Sequence, residues 1–355
     1  MSDRYLLAAS LITVGPIPVP PPPSLPPNLP DNLSALLTST VARNLQSVSA
    51  NKSVPILEVT SPEFSPTQSL TYTSSETTGP LLVTPTATQK AIDLVQPVQV
   101  PKPQLSVSSP VSGSQLYFQR LAALKAGKLY TRLPADSFQS LWAKGTGTTL
   151  QQPTHEQWIR LLEQEAKALA KGQGSNRLGI LVGDSLSMWF PSERLPGSQL
   201  WLNQGISGEN STQILKRLSA FSQTRPNTIY VMAGTNDLRQ GVSDEVIVDN
   251  LREIMRRLRL NHPQAQVVVE SILPMRLSAI PNERIRNLNQ QIAAIAQQEG
   301  AGYLNLNALF SDSQGQMRQD LTTDGIHLTR RGYEVWQDAL YYAESVVAVN
   351  QIARK

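Results

Sequence analysis

The residues suited to covalent chemistry are few. The chain has 355 residues, three histidines and no cysteine. Thiolate chemistry, disulfides and cysteine-ligated zinc are therefore excluded. It carries no HExxH pattern and no carboxylate cluster, so neither a metal nor another cofactor is expected. Serine chemistry remains. Ser185 stands in "GDSL" (Gly183–Leu186), directly after the apolar run Leu178–Val182. A serine hydroxyl is inert at its own pKa. To open an acyl bond it needs a base beside it, an orienter for that base and donors for the oxyanion. Gly, Asp and Ser also favour turns for local backbone reasons, so the tripeptide alone leaves both roles open. Among the histidines, His155 falls in a predicted helix cap and His262 in an "NHP" turn, and both have structural explanations. His327 lies in "DGIH", with Asp324 three residues before it. A carboxylate there can hold the imidazole in the tautomer that accepts a serine proton. Asn236, in "GTND", offers an amide donor.

These fragments need a scaffold that brings them together. From Leu178 onward, strands and helices alternate. The strands expected are Leu178–Val182, Gln199–Gln204, Thr228–Ala233, Gln266–Ser271 and Tyr303–Leu306. The helices expected are Ser211–Phe221, Asp244–Leu260, Asn282–Glu299 and Thr329–Val346, the longer ones with apolar residues at helical spacing. Near-continuous apolar strands between amphipathic helices indicate a parallel sheet covered on both faces. In such sheets ligands bind beyond the carboxyl ends of the strands. "GDSL", the "GISGENS" part (Gly205–Ser211) of "NQGISGENS" (Asn203–Ser211) and "GTND" all follow predicted strands, and "DGIH" precedes the last helix.

Taken in order, the four blocks resemble those of the SGNH, or GDSL-type, hydrolase family, over about Leu178 to Val347. The resemblance implies a flavodoxin-like three-layer α/β/α sandwich. It also implies Ser185 as nucleophile, Asp324 and His327 as the rest of a triad, and the Gly208 backbone N–H with the Asn236 side chain as oxyanion donors. The G-x-S-x-G elbow of α/β-hydrolases is a different turn, because Ser187 stands where its second glycine would be. Glu209 departs from the aspartate of many relatives, which would alter a turn contact. "SMWF" (Ser187–Phe190) is expected to pack in the core rather than line an acyl pocket. The implied activity is a serine esterase hydrolysing a carboxylic ester through an acyl-enzyme, its substrate a small acyl ester or an acylated glycan or lipid. Two alternatives share the cleft: an O-acyltransferase acting on a polysaccharide, and a non-catalytic module that binds glycan or a partner.

Composition divides the chain. Eighteen of 26 prolines precede residue 111, whereas all five tryptophans follow it. Residues 1–112, rich in Pro, Ser and Thr, are expected to be disordered, burying too little apolar surface to offset ordering entropy. "PIPVPPPPSLPPNLP" (Pro16–Pro30) should be polyproline II, a spacer or a ligand for a partner domain. Tyr5–Val14 is too short to span a bilayer but long enough for a signal-peptide core. Asp3 offsets Arg4 there and no small-x-small site follows. Export or cell-envelope placement is slightly favoured over cytoplasmic, and no integral membrane span is expected. Residues 113–175 form a helical prelude, with predicted helices over Ser114–Gly127, Pro134–Lys144 and Pro153–Gly172, the last opened by the Thr154/Gln157 capping-box spacing. Residues 176–350 are the hydrolase domain. Beyond residue 110, 26 basic residues face 21 acidic ones, and "MRRLRL" (Met255–Leu260) sets its arginines on the polar side of a helix, so nucleic-acid binding is not expected.

Overall fold

The structure, a computed structural model, describes residues 56–57, 110–133 and 152–353. The N-terminal apolar run, the polyproline stretch and the helix expected over Pro134–Lys144 lie outside the described residues. The strands are β1 (Ile56–Leu57), β2 (Leu178–Gly183), β3 (Leu200–Gly205), β4 (Thr228–Met232), β5 (Gln266–Glu270) and β6 (Gly302–Leu304). All pair in parallel, in the order β1-β6-β5-β4-β2-β3. β2, β3 and β4 are buried at every position, which is why β2 and the body of β4 read as near-continuous apolar runs rather than as an alternating pattern.

Helices α1 (Gly113–Lys125) and α2 (His155–Gly172) precede the main sheet. Then come α3 (Ser185–Met188), α4 (Ser211–Lys216), α5 (Thr235–Arg239), α6 (Asp244–Asn261), α7 (Asn282–Gln298), α8 (Leu306–Phe310) and α9 (Arg330–Ala353). One face of the sheet is covered by α6 and α7, through residues such as Ile247, Leu251, Ile254, Leu288 and Ile292. The other face is covered by α9, where Trp336 and Leu340 pack with Phe190, Tyr230 and Phe310. Each such side chain contributes about 1.5–3 kcal/mol when fully buried. The result is the three-layer α/β/α sandwich expected from the sequence.

The helix expected over Ser211–Phe221 breaks at Arg217 and resumes as a 3₁₀ turn, Leu218–Phe221. Arg217 leaves the helical conformation with φ −111° and ψ 11°. Its guanidinium turns inward to the carbonyls of Gly183 and Gln204.

The prelude is tied to the sheet at its β3 edge. An exposed strand edge is a row of unpaired backbone groups. Here two alternate carbonyls of β3 are covered: Thr131 Oγ1 donates to Trp201 O at 2.6 Å and Arg120 Nη2 to Asn203 O at 2.7 Å. Arg120 also pairs with the buried Glu165 of α2, its Nε donating at 3.0 Å. The capping box expected at Thr154 and Gln157 forms and opens α2. Leu116, Trp158, Leu161 and Leu162 then pack with Met188 and Ile206 in a third cluster at this edge.

Candidate active site

The register of the sheet makes a ledge. β2 pairs with β3 from Leu178↔Leu200 to Gly183↔Gly205 and with β4 up to Gly183↔Met232. The three strands therefore end level, and each hands the chain to a short loop at the same edge. After β2 the chain turns at once. Asp184 caps α3, its Oδ1 accepting from the Leu186 N–H at 2.9 Å, which satisfies one of the free donors of the helix start. Ser185 is then the first helical residue. A side chain at Gly183 would meet Ser187 Oγ at 2.3 Å and Met232 O at 2.6 Å. Only glycine lets α3 fold back this closely over β4.

His327 arrives from the loop before α9. Its Nε2 lies 3.3 Å from Ser185 Oγ, although 142 positions separate them. Its Nδ1 lies 2.7 Å from Asp324 Oδ2. The Asp324 carboxylate also accepts backbone N–H bonds from His327 at 2.8 Å and Ile326 at 3.0 Å. Partial burial acts to raise the Asp324 pKa, but the hydrogen bonds from the His327 ring and from the two backbone amides outweigh it and hold the carboxyl at about 2. An ionised acceptor at Nδ1 puts the ring proton there and leaves the Nε2 lone pair facing the serine. The serine is buried, at 7% exposure, whereas the His327 and Asp324 side chains are 43% and 52% exposed.

Asn236 sits on α5, just past β4. Its amide nitrogen donates to Asp184 Oδ2 at 3.2 Å and to Glu209 O at 3.0 Å, and its Oδ1 accepts from Arg239 Nη1 at 3.1 Å. Gly208, in the loop after β3, has φ +83°, a conformation that favours glycine. Its N–H donates to no group among the described residues. Asp184 is fully enclosed. Burial pushes its carboxyl up to about 6, the Asp237 and Glu209 charges add to this, and the Leu186 amide and His327 act against it.

Beneath these groups lies an ionic network that sequence reasoning missed. Glu209, 1% exposed, pairs with Arg217 at 2.6 Å and with His155 Nε2 at 2.8 Å. Arg217 reaches Gly183 O at 3.2 Å and Gln204 O at 2.7 Å. One carboxylate thus joins the end of β2, the end of β3 and the start of α2. The altered turn contact expected at Glu209 is an ion pair, and His155, the first residue of α2 after the Thr154 cap, holds the loop that carries Gly208. His262 is buried and stacks on Phe221, with ring centroids 5.6 Å apart; burial lowers its pKa. Of the "SMWF" stretch, Ser187, Met188 and Phe190 are buried as expected, but Trp189 is partly exposed and borders two cavities.

A hydroxyl, an imidazole and a carboxylate in hydrogen-bonding sequence, beside amide donors, can attack an acyl carbon and hold the negative charge that forms. A family model described as the GDSL-like Lipase/Acylhydrolase family matches residues 172–335. Platelet-activating factor acetylhydrolase IB subunit alpha1 of Bos taurus is 32% identical over 167 residues, which cover 43% of this chain and 69% of that protein. The Homo sapiens protein matches at the same identity and coverage. The crystal structure of a GDSL-like lipase from Bacteroides thetaiotaomicron VPI-5482 aligns with TM-score 0.44 at 20% identity, over 52% of this chain and 96% of that one. The fold, together with the family and relatives that match it, defines a hydrolase acting on ester bonds. The chain belongs to the GDSL-like lipase/acylhydrolase family.

Proposed function

We propose that the chain is a serine esterase that works through an acyl-enzyme. His327 Nε2 removes the Ser185 proton as Oγ attacks the carbonyl carbon. Asp324 stabilises the imidazolium and does not itself take the proton. The oxyanion is held by the Gly208 N–H and by Asn236 Nδ2, whose 3.2 Å bond to Asp184 Oδ2 is the longer of its two and the one exchanged for the oxyanion. His327 then protonates the alcohol oxygen as the ester C–O bond breaks. Water, deprotonated by the same nitrogen, releases the acid and restores the serine. The half-exposed histidine gives that water access.

The observation that carries this proposal is the unbroken chain of hydrogen bonds from Ser185 Oγ through His327 to Asp324. A small acyl ester, or an acylated glycan or lipid, is the substrate class, in keeping with the acetylhydrolase name of the relatives and the lipase/acylhydrolase description of the family. The test is turnover of p-nitrophenyl acetate by Ser185→Ala, His327→Ala and the double variant. Each single variant should lose most activity, and the double should be little worse than either, because residues acting as a unit are strongly non-additive. Additive losses would separate the two residues and contradict the proposal.

A further inference from the structure

Three contacts hold the Asn236 side chain. Asp184 Oδ2 and Glu209 O accept from Nδ2, and Arg239 Nη1 donates to Oδ1 at 3.1 Å. Arg239 lies two positions past the "GTND" block and is exposed. It is the last residue of α5, three after Asn236, and positions three apart share a helix face. The backbone of α5 is anchored without it. Asp237, fully buried, accepts from the Ser211 N–H at 2.8 Å and ties α5 to α4. Arg217 and Arg284 pair with Glu209 and Asp244. Arg239 differs from them. Among the described residues it pairs with no carboxylate, and its one hydrogen bond goes to the neutral amide of Asn236.

The torsion that turns an asparagine amide is broad and lacks staggered minima, so contacts must set it. The oxyanion takes the Nδ2 hydrogen that Asp184 holds in the free enzyme, and one of the three contacts is then given up. Glu209 O on Nδ2 and Arg239 on Oδ1 remain, at opposite ends of the amide. Together they fix its plane, whereas the Glu209 contact alone leaves the amide free to swing. The guanidinium also draws electron density towards Oδ1, and hydrogen bonds in a chain strengthen one another. Nδ2–H is then a stronger donor as charge develops on the substrate oxygen. We infer that Arg239 is a positioning residue for the oxyanion donor, acting through Asn236 with no contact of its own to the reacting group. The inference rests on the esterase proposal and adds to its site a residue outside the four sequence blocks.

The test is a double-mutant cycle on the full chain with p-nitrophenyl acetate, read as kcat and KM separately. Arg239→Ala should lower kcat about tenfold, less than the roughly 10²–10³ expected for the donor itself. KM should change little, because the oxyanion is absent from the ground state. In the Asn236→Ala background the same substitution should change kcat by less than about twofold, since no amide is left to hold. Arg239→Lys keeps a cationic donor and should recover part of the loss, whereas Arg239→Met keeps an apolar stem without a donor and should recover none. Urea midpoints of the three variants should match wild type, because the side chain is exposed. A loss that persists in the Asn236→Ala background, or one carried by KM, makes Arg239 an independent substrate contact and overturns the inference. So does a kcat within about twofold of wild type in both Arg239→Ala and Arg239→Met. Two controls separate this failure from the deeper one. Asn236→Ala costly with Arg239→Ala and Arg239→Met neutral removes Arg239 alone. Asn236→Ala without effect, or Ser185 unlabelled by a fluorophosphonate, removes the esterase site as proposed and the inference with it.

Discussion

Glu270 closes β5 with its carboxyl 1% exposed, and Trp336 Nε1 donates to it at 2.6 Å. No cation pairs with it among the described residues. Burial pushes its pKa up to about 8, which the Trp336 bond only partly opposes. In the unfolded chain the same group titrates near 4.3. Below about pH 4 it is protonated in both states and contributes no difference. Between about pH 4.3 and 8 the unfolded state has lost the proton and the folded state keeps it. Stability therefore falls as pH rises through that window, by up to about 1.4 kcal/mol per pH unit. At pH 7 the accumulated cost is of order 4 kcal/mol. Glu270→Gln removes the titration and keeps an oxygen to accept from Trp336. Urea unfolding of both proteins across pH 4 to 8 should give nearly equal stabilities at the acid end. The variant should then become progressively more stable towards neutral pH. A difference that does not change with pH, or a variant less stable at pH 7, would refute the account of a neutral carboxyl held in the core.

Three more outcomes follow from the site. Asn236→Ala should lower kcat on a preferred ester by about 10²–10³ with the fold intact, the usual cost of one lost oxyanion donor; steady-state kinetics with a change under threefold would exclude the residue. Asp324→Asn should lower kcat by about 10⁴, since an amide no longer enforces the tautomer that presents Nε2 to the serine. Because the Asp324 carboxyl is held at about 2, its own protonation lies well below any acid limb seen between pH 5 and 7, and a limb unchanged in shape by this substitution would exclude its coupling to His327. Glu209→Leu should destabilise the protein by about 3–5 kcal/mol in urea unfolding, because the guanidinium of Arg217 is left buried without its partner. A loss below 1 kcal/mol would show the pair to be dispensable.

The parts of the molecule legible in the sequence are those governed by local pattern. Leu178–Gly183 and Thr228–Met232 read as strands because both faces are covered and, Thr228 and the Tyr230 hydroxyl apart, no position carries a polar side-chain group. Ser185, Asn236 and His327 stand out because each polar block follows a strand or opens a helix, where an open parallel sheet places ligands. What was missed depends on contacts between distant positions. Arg217 looks like an ordinary surface residue of a helix, and only the fold shows Glu209 and two strand-end carbonyls waiting for its guanidinium. His155 meets Glu209 across 54 positions, and Thr131 reaches Trp201 across 70. No periodicity records such pairs. Trp189 was read as core from its apolar neighbours, and Met188 and Phe190 are core. Its own ring faces the gap between prelude and domain, a surface that exists only once α1 and α2 have docked on β3.

The central claim is that Ser185 is the nucleophile and His327 its base. Peptide mass spectrometry after treatment with a fluorophosphonate tests it most directly, because the reagent needs an activated hydroxyl and no substrate fit beyond it. The account predicts one modified serine, Ser185, and a sharp loss of labelling in His327→Ala. Modification of a different serine, with Ser185→Ala still turning over ester, would contradict it.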